Sequence, residues 1–226
     1  MLKQLKSTLL ISSLLAMLLA SAHAAFDSPS SNSNGWGPWT RGDAGTMYAE
    51  WDFFENPFAP DSTPDVGSFN TTSSIVSVTA GTPIPVGSGN LYSPTSVLGF
   101  SLLMEGQEPA GPTQVALQLA SAGTEFDYSN ITLNGMAPTQ ARVELSRVAI
   151  PGLGDNVESL LLWDLMTNAG SYLFEFTAAG SSLSLSNIAA DIGAPVPLPA
   201  AGWLLLSGLV SIGVLGRKKS QQAITG

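Results

Sequence analysis

The sequence predicts an all-β fold. It is an antiparallel β-sandwich of jelly-roll-like topology, lying between an N-terminal signal peptide and a C-terminal transmembrane helix. Three observations predict it. Short apolar segments alternate with period two, Gly, Pro or Asn separates them at hairpin-like spacing, and helical periodicity is nearly absent between the two ends. Each end instead carries a longer apolar run of its own.

The N-terminal run has the form of a secretory signal peptide, assigned to residues 1–24. Two lysines precede an apolar stretch from Thr8 to Ala20. Ala22 and Ala24 then form the small-residue pattern that precedes a cleavage point. We therefore expect the secretion machinery to export the chain and the mature protein to start at Ala25.

Residues 25–45 form the next segment, which we expect to be a flexible leader. A polar stretch rich in Ser and Asn opens it, and Trp36 and Trp39 follow among glycines. The two indole rings could form an exposed platform for carbohydrate, or they could pack at the end or edge of the core. The sequence leaves both readings open.

The β-sandwich domain is assigned to residues 46–193, with nine or ten strands. The first is Thr46–Phe54, with Met47, Ala49, Trp51 and Phe53 on one face. For the stretch Val157–Met166, a short helix is the one interpretation that competes with a strand. The other predicted strands lie at Ile75–Ala80, Ser96–Met104, Gln114–Leu119, Phe126–Leu133, Ala141–Leu145, Leu160–Leu165, Tyr172–Phe176 and Leu183–Ile188.

Composition excludes several classes of site from the mature region. The chain has no Cys, the mature region has no Lys, and the one His lies in the signal peptide. Ser-His-Asp, Cys-His and Ser-Lys catalysis are therefore excluded, as are disulfides. Zinc is disfavoured for the same reason. We expect a protein that is not an enzyme.

The charge of the mature region is strongly negative. All 17 acidic residues lie there, against three arginines. This sign disfavours nucleic acid as a partner, because such binding depends on neutralising phosphates. It also suits an exported protein that must stay soluble.

Acidic side chains leave two further possibilities open. A structural calcium ion could bind carboxylates in loop-like positions, although no calcium-loop motif is present and no other cofactor is expected. The weak calcium candidates are Asp61, Asp65, Asp155 and Asp191. Paired carboxylates could also support a secreted glycosidase, for which Glu50, Asp52 and Glu55 are candidates. A solvated acidic surface is the simpler reading of both groups.

The C-terminal run has the features of a short membrane helix. The 17 residues from Ala200 to Gly216 carry no charge and would form a helix of about 25 Å, just short of a bilayer core. A basic stop follows, which would stay on the cytoplasmic side and place the preceding domain outside. Its residues are Arg217, Lys218 and Lys219, and 221–226 form a short tail.

A proline-rich motif precedes this helix. It consists of Val196, Pro197, Leu198, Pro199 and Ala200, with Trp203 just beyond. In this order, residues 194–220 resemble the PEP-CTERM sorting signal in its VPLPA form, with Leu198 where the family usually has glutamate. The resemblance implies recognition by an exosortase, a membrane-embedded cysteine peptidase of Gram-negative bacteria. It also implies cleavage near Pro197–Pro199, and leaves open which exosortase acts.

Together these observations predict an exported, non-enzymatic protein of the cell surface or extracellular matrix. It would pass through the inner membrane on its C-terminal helix and then reach the surface or the medium. Because PEP-CTERM proteins often accompany exopolysaccharide and biofilm production, exopolysaccharide is an expected partner. A carbohydrate-binding module and a carboxylate-dependent glycosidase are the alternatives.

Overall fold

The structure is a computed structural model that describes residues 26, 29, 36–56, 58–106 and 109–195. These residues all belong to the first of two compact units, 1–195. The second unit, 196–226, lies outside the described residues.

The described part of the chain is all-β, with twelve strands and one 3-10 helix at Tyr128–Asn130. The strands are β1 Met47–Trp51, β2 Ser68–Phe69, β3 Thr71–Ala80, β4 Ile84–Pro85, β5 Leu91–Ser93, β6 Gly99–Gly106, β7 Thr113–Gly123, β8 Thr132–Leu133, β9 Val143–Ile150, β10 Gly154–Leu165, β11 Tyr172–Thr177 and β12 Leu183–Gly193.

The strands form two sheets, and every pairing of neighbouring strands within a sheet is antiparallel. The large sheet has the order β2-β1-β12-β7-β10-β9, with β5 joined to β12 and β4 joined to β5. The small sheet has the order β3-β6-β11-β8. The last strand, β12, lies inside the large sheet between β1 and β7.

The two sheets share one hydrophobic core, which makes the fold sandwich-like. Trp163 of the large sheet meets Phe174 of the small sheet edge to face, with ring centroids 5.7 Å apart. Phe100 and Phe176 stack at 5.5 Å within the small sheet. The predicted all-β fold is therefore confirmed at this level, and its antiparallel pairing with it.

The strand β10 is buried on both of its faces. Leu161 and Trp163 point into the core, whereas Leu160 and Leu162 point to the opposite, outer face of the large sheet and are buried there too. A strand buried on both faces has an almost continuous apolar sequence, which cannot be told from a buried helix by periodicity. The possible helix over Val157–Met166 is therefore wrong, since this stretch is β10.

Irregularities account for the other differences from the predicted strands. A bulge between Leu185 and Asn187 shifts the core-facing set of β12, which resumes at Ile188. In β1 the alternation ends with Trp51. The next residue predicted to face inward, Phe53, is 46% exposed, whereas Phe54 is buried.

The predicted strand Phe126–Leu133 is interrupted by the 3-10 helix. Asp127 precedes this helix, and its side chain accepts hydrogen bonds from the backbone N–H of Ser129 and the side chain of Asn130. Asp and Asn compete for backbone groups in this way and favour turns over strands. Only Thr132–Leu133 remains as a strand, pairing with β11.

The predicted leader does not extend away from the domain where it is described. Phe26 is buried against the outer face of the large sheet, near Tyr48 and Ala189. Residues 36–45, called the strap below, cross the same face and end at β1. The described residues of the leader therefore cover part of the outer face of the large sheet.

Candidate functional site

The residues of the predicted sorting signal lie outside the described residues. This holds for Val196, Pro197, Leu198, Pro199, Ala200 and Trp203, for Arg217, Lys218 and Lys219, and for the signal-cleavage residues Ala22 and Ala24. Within the described residues, no helix has the length and apolar character needed to cross a membrane. The described domain ends with β12 at Gly193, three positions before the motif begins.

The two tryptophans predicted as carbohydrate contacts are buried. Trp36 is 3% exposed and Trp39 is 7% exposed. Their rings meet edge to face at 6.1 Å and cover Leu160 and Leu162 on the outer face of the large sheet. Their burial corrects the exposed-platform interpretation, because rings this little exposed form no open platform. The alternative of packing at the edge of the domain describes them better.

A glycine makes room for this packing. Gly193, at the end of β12, faces the ring of Trp39 so closely that an added Cβ would lie 2.3 Å from it. The backbone N–H of Gly37 donates a hydrogen bond to Oε1 of Gln114 on β7, at 2.8 Å. Ring packing and the hydrogen bond from Gly37 to Gln114 thus hold this part of the strap on the sheet.

The most unusual chemistry of the described residues lies beside these rings. Four buried or half-buried polar side chains meet on the outer face of the large sheet, and we call them the outer-face cluster: Arg41, Tyr48, Glu50 and Asp191. Strand register explains the meeting, since Tyr48 lies opposite Asp191 on neighbouring strands, and Glu50 follows Tyr48 on the same face of β1.

Arg41 holds the outer-face cluster together from the strap. Its Nε and Nη2 donate to the two carboxylate oxygens of Asp191, each at 2.7 Å. Its guanidinium carbon also lies 3.7 Å from the ring centroid of Tyr48, a cation–π contact. The hydroxyl of Tyr48 donates to Oε2 of Glu50. The bidentate pair is the strongest kind of ion pair that a protein forms.

Burial shifts the pKa values of these groups. Burial raises the pKa of Asp191 to about 6, against the opposing effect of Arg41. Burial also raises the pKa of Glu50, which the Tyr48 hydrogen bond and Arg41 oppose. The pKa of Tyr48 is raised by burial first and then by Glu50. The cluster therefore holds two carboxyls that bind a proton more readily than exposed ones.

The arrangement differs from the predicted glycosidase pair. Glu50 is buried and accepts a hydrogen bond from Tyr48, Asp52 is half-buried, and Glu55 is exposed beyond the end of β1. The acid that joins Glu50 in the cluster is Asp191, which the sequence placed among the calcium candidates. Besides the effect of burial, Asp52 and Asp191 both act on Glu50 through their negative charge, and both raise its pKa.

Two of the four calcium candidates form ion pairs with arginines. Asp191 faces Arg41, and Asp155 accepts a hydrogen bond from Nη1 of Arg147 at 2.7 Å. In this arrangement a guanidinium contacts each of these two carboxylates. Asp61 and Asp65 accept backbone N–H groups, from Thr63 at 3.0 Å and from Phe53 at 3.0 Å. In the described ranges no group of three or more acidic, His or Cys side chains could hold a metal ion.

A second polar group lies at the β9 edge of the domain. Arg147 contacts Glu125, Glu144 and Asp155, at 2.7 to 2.8 Å, and Arg142 contacts Glu144 at 3.0 Å. These side chains are partly exposed, so each ion pair contributes little to stability. The group is a surface network and its acids are already paired.

One shallow groove opens near the end of β3. Its volume is about 230 Å³, and it is lined by Phe58, Ala59, Pro60, Ser77, Val78, Gly81 and Pro83. None of these side chains titrates, so the groove offers an apolar shape and one hydroxyl rather than acid–base chemistry.

Sequence reasoning did not predict that Arg41, Tyr48, Glu50 and Asp191 meet. The partners Arg41 and Asp191 stand 150 positions apart, so no local pattern joins them. The usable signal was the alternation of β1, which puts Tyr48 and Glu50 on one face, opposite Met47 and Ala49.

The chain was compared with protein-family models, curated proteins and solved structures. No family model, curated protein or solved structure matches the chain significantly.

Proposed function

We propose that this chain is an exported, non-enzymatic protein of the cell surface or extracellular matrix that an exosortase releases from the inner membrane. The observation that carries the proposal is the sequence of the tail: the motif Val196–Ala200, then an uncharged apolar stretch that includes Trp203 and runs to Gly216, then the basic stop 217–219. A partner in exopolysaccharide or a biofilm matrix is part of the same proposal.

The limits of the folded domain support it. Phe26 is already packed on the large sheet, and it follows the proposed signal-cleavage point by two positions. At the other end, β12 finishes at Gly193, before the proposed cut near Pro197–Pro199. Two cuts at these places would remove no described strand. Processing at both ends would therefore leave the described fold complete.

We infer that the fold is jelly-roll-like. In the large sheet the first long strand lies next to the last, in the order β1-β12-β7-β10. In the small sheet, β3 and β8 flank β6 and β11. Early and late strands also interleave in the two packed sheets of a jelly roll, and this likeness supports the inference. It supports a rigid domain displayed as one unit.

The proposal is tested by following the C-terminus in cells that make an exosortase. We expect the native chain to be recovered outside the cells, or at their surface, without its apolar helix. Pro197→Ala with Pro199→Ala is expected to leave the helix in place and the protein in the membrane fraction. Mass spectrometry of the mature C-terminus, together with cell fractionation, measures both.

Pro195→Ala is the matched control, because it removes a proline outside the motif and should be processed normally. Deleting the exosortase should reproduce the effect of the double variant. A native chain that keeps its helix whether or not the exosortase is present would contradict the proposal.

A further inference from the structure

The strap is held to the large sheet by side chains. Its ties to the sheet are the rings of Trp36 and Trp39, the hydrogen bond from Gly37 to the Gln114 side chain, and the Arg41–Asp191 pair. Near its C-terminal end, the side chain of Asn70 also donates a hydrogen bond to the Asp43 oxygen at 2.8 Å. The turn of the strap is closed within itself by the backbone bond from Asp43 N–H to the Thr40 oxygen, at 3.1 Å. Because the strap adds no strand to either sheet, it can lift without breaking a strand pairing.

The charges under the strap do not balance when both acids are ionised. In the described part of the chain, the buried or half-buried groups are Arg41 of the strap, Tyr48 and Glu50 of β1, and Asp191 of β12. The strap also carries Asp43, and the loop before β2 carries Asp65, but both of these acids are exposed to water. Asp52 acts on Glu50 from just beyond β1 and adds negative charge. The next strand, β7, presents neutral residues there, namely Ala116, Gln118 and Ala120. One guanidinium therefore faces two buried carboxyls.

A buried charge without a partner costs several kcal/mol, and a carboxyl avoids this by taking a proton. One proton on the pair Glu50 and Asp191 makes the described cluster neutral. Loss of that proton leaves a net negative charge beneath the strap. Lifting the strap gives this charge access to water.

We propose that the strap is a proton-controlled cover, which closes over the outer face of the large sheet when the outer-face cluster holds a proton and loosens when the proton leaves. Opening exposes Trp36, Trp39 and the apolar side chains beneath them, Leu160 and Leu162 among them. The exported protein would then present an aromatic and apolar face at neutral pH and hide it in mild acid.

Hydrogen–deuterium exchange of the purified chain tests this, with rates corrected for the intrinsic pH dependence of exchange. Peptides covering the strap should exchange faster as pH rises, by up to about tenfold for each pH unit between about 4 and 6, and level off above that range. Peptides from β7 and β12 should stay protected throughout. Acrylamide quenching of tryptophan fluorescence should rise over the same range.

Two variants remove one acid each, Glu50→Gln and Asp191→Asn. Both should abolish the pH dependence of strap exchange, and either one suffices if the other does not fold. Glu175→Gln, which changes an exposed acid on β11, should keep the dependence of the native chain. Equal strap protection at pH 4 and 7 overturns the proposal. So does a pH dependence that survives in the variants, or loss of protection in β7 and β12 together with the strap.

Discussion

Asp191 is the residue whose environment departs most from that of an ordinary carboxylate. It is completely buried, and its charge is balanced by Arg41 alone among the contacts that the structure gives it. Burial outweighs this pairing, so the pKa of Asp191 rises to about 6. A carboxyl whose pKa is higher in the folded state favours folding most where it is protonated.

The unfolding free energy should therefore depend on pH through Asp191. Its contribution is fully present below the unfolded pKa, near 3.8, and is lost as pH rises through about 6. The shift corresponds to a loss of up to about 3 kcal/mol. We expect the difference in unfolding free energy between the native chain and Asp191→Asn to change by this amount between pH 4 and 7, measured by urea denaturation.

Taking the difference between the two proteins removes the effect of other groups. Glu144, whose pKa is lowered mainly by its hydrogen bond with Arg147, acts in the opposite sense, since its contribution is lost as pH falls. It is present in both proteins and cancels. A pH-independent difference between the native chain and the variant would show that the Asp191 carboxyl titrates in the folded protein as it does in the unfolded one.

At the scale of elements, the strap depends on a small residue in a strand that it covers. Gly193→Ala would place a methyl group 2.3 Å from the Trp39 ring, so the ring must move. We expect a loss of about 1–3 kcal/mol in the unfolding free energy, as for overpacking elsewhere. Chemical denaturation monitored by tryptophan fluorescence measures it.

Gly87→Ala is the control for this change. Its position has no neighbouring atom within 4 Å of an added Cβ, so the substitution should be nearly neutral. Equal stability of the two alanine variants would show that Trp39 does not rest on β12 in solution.

The elements themselves were largely predictable from sequence. Alternating segments such as Val115–Leu119 and Tyr172–Phe176 lie within β7 and β11, because side-chain period two follows directly from strand geometry. Short edge strands such as Ser68–Phe69 were missed, since two exposed residues carry no periodic signal. The bulge in β12 could not be predicted either, because a single extra residue interrupts the alternation at only one position.

The candidate site was not predictable in the same way. Trp36 and Trp39 could be recognised as a pair, but their burial depends on the outer face of a sheet assembled from β7 and β10, far along the chain. The outer-face cluster depends equally on β12 pairing with β1. Such contacts depend on strand order, and strand order is not encoded in local periodicity.

At the scale of the whole molecule, strand order makes folding depend on the last strand. β12 lies inside the large sheet and pairs with β1, β5 and β7, so the sheet cannot form without it. Because β12 ends at Gly193, the domain can complete its sheets only once nearly everything before the proline-rich motif is available for folding. Two shortened chains test this dependence.

A chain of residues 25–195 should fold and unfold cooperatively, because it keeps both sheets and the core they share. Its melting temperature should lie within a few degrees of that of the full chain in detergent. A chain of residues 25–181 lacks β12, exposes both neighbouring strand edges and should show no cooperative transition by circular dichroism. Cooperative unfolding of the shorter chain would mean that the large sheet can form without β12.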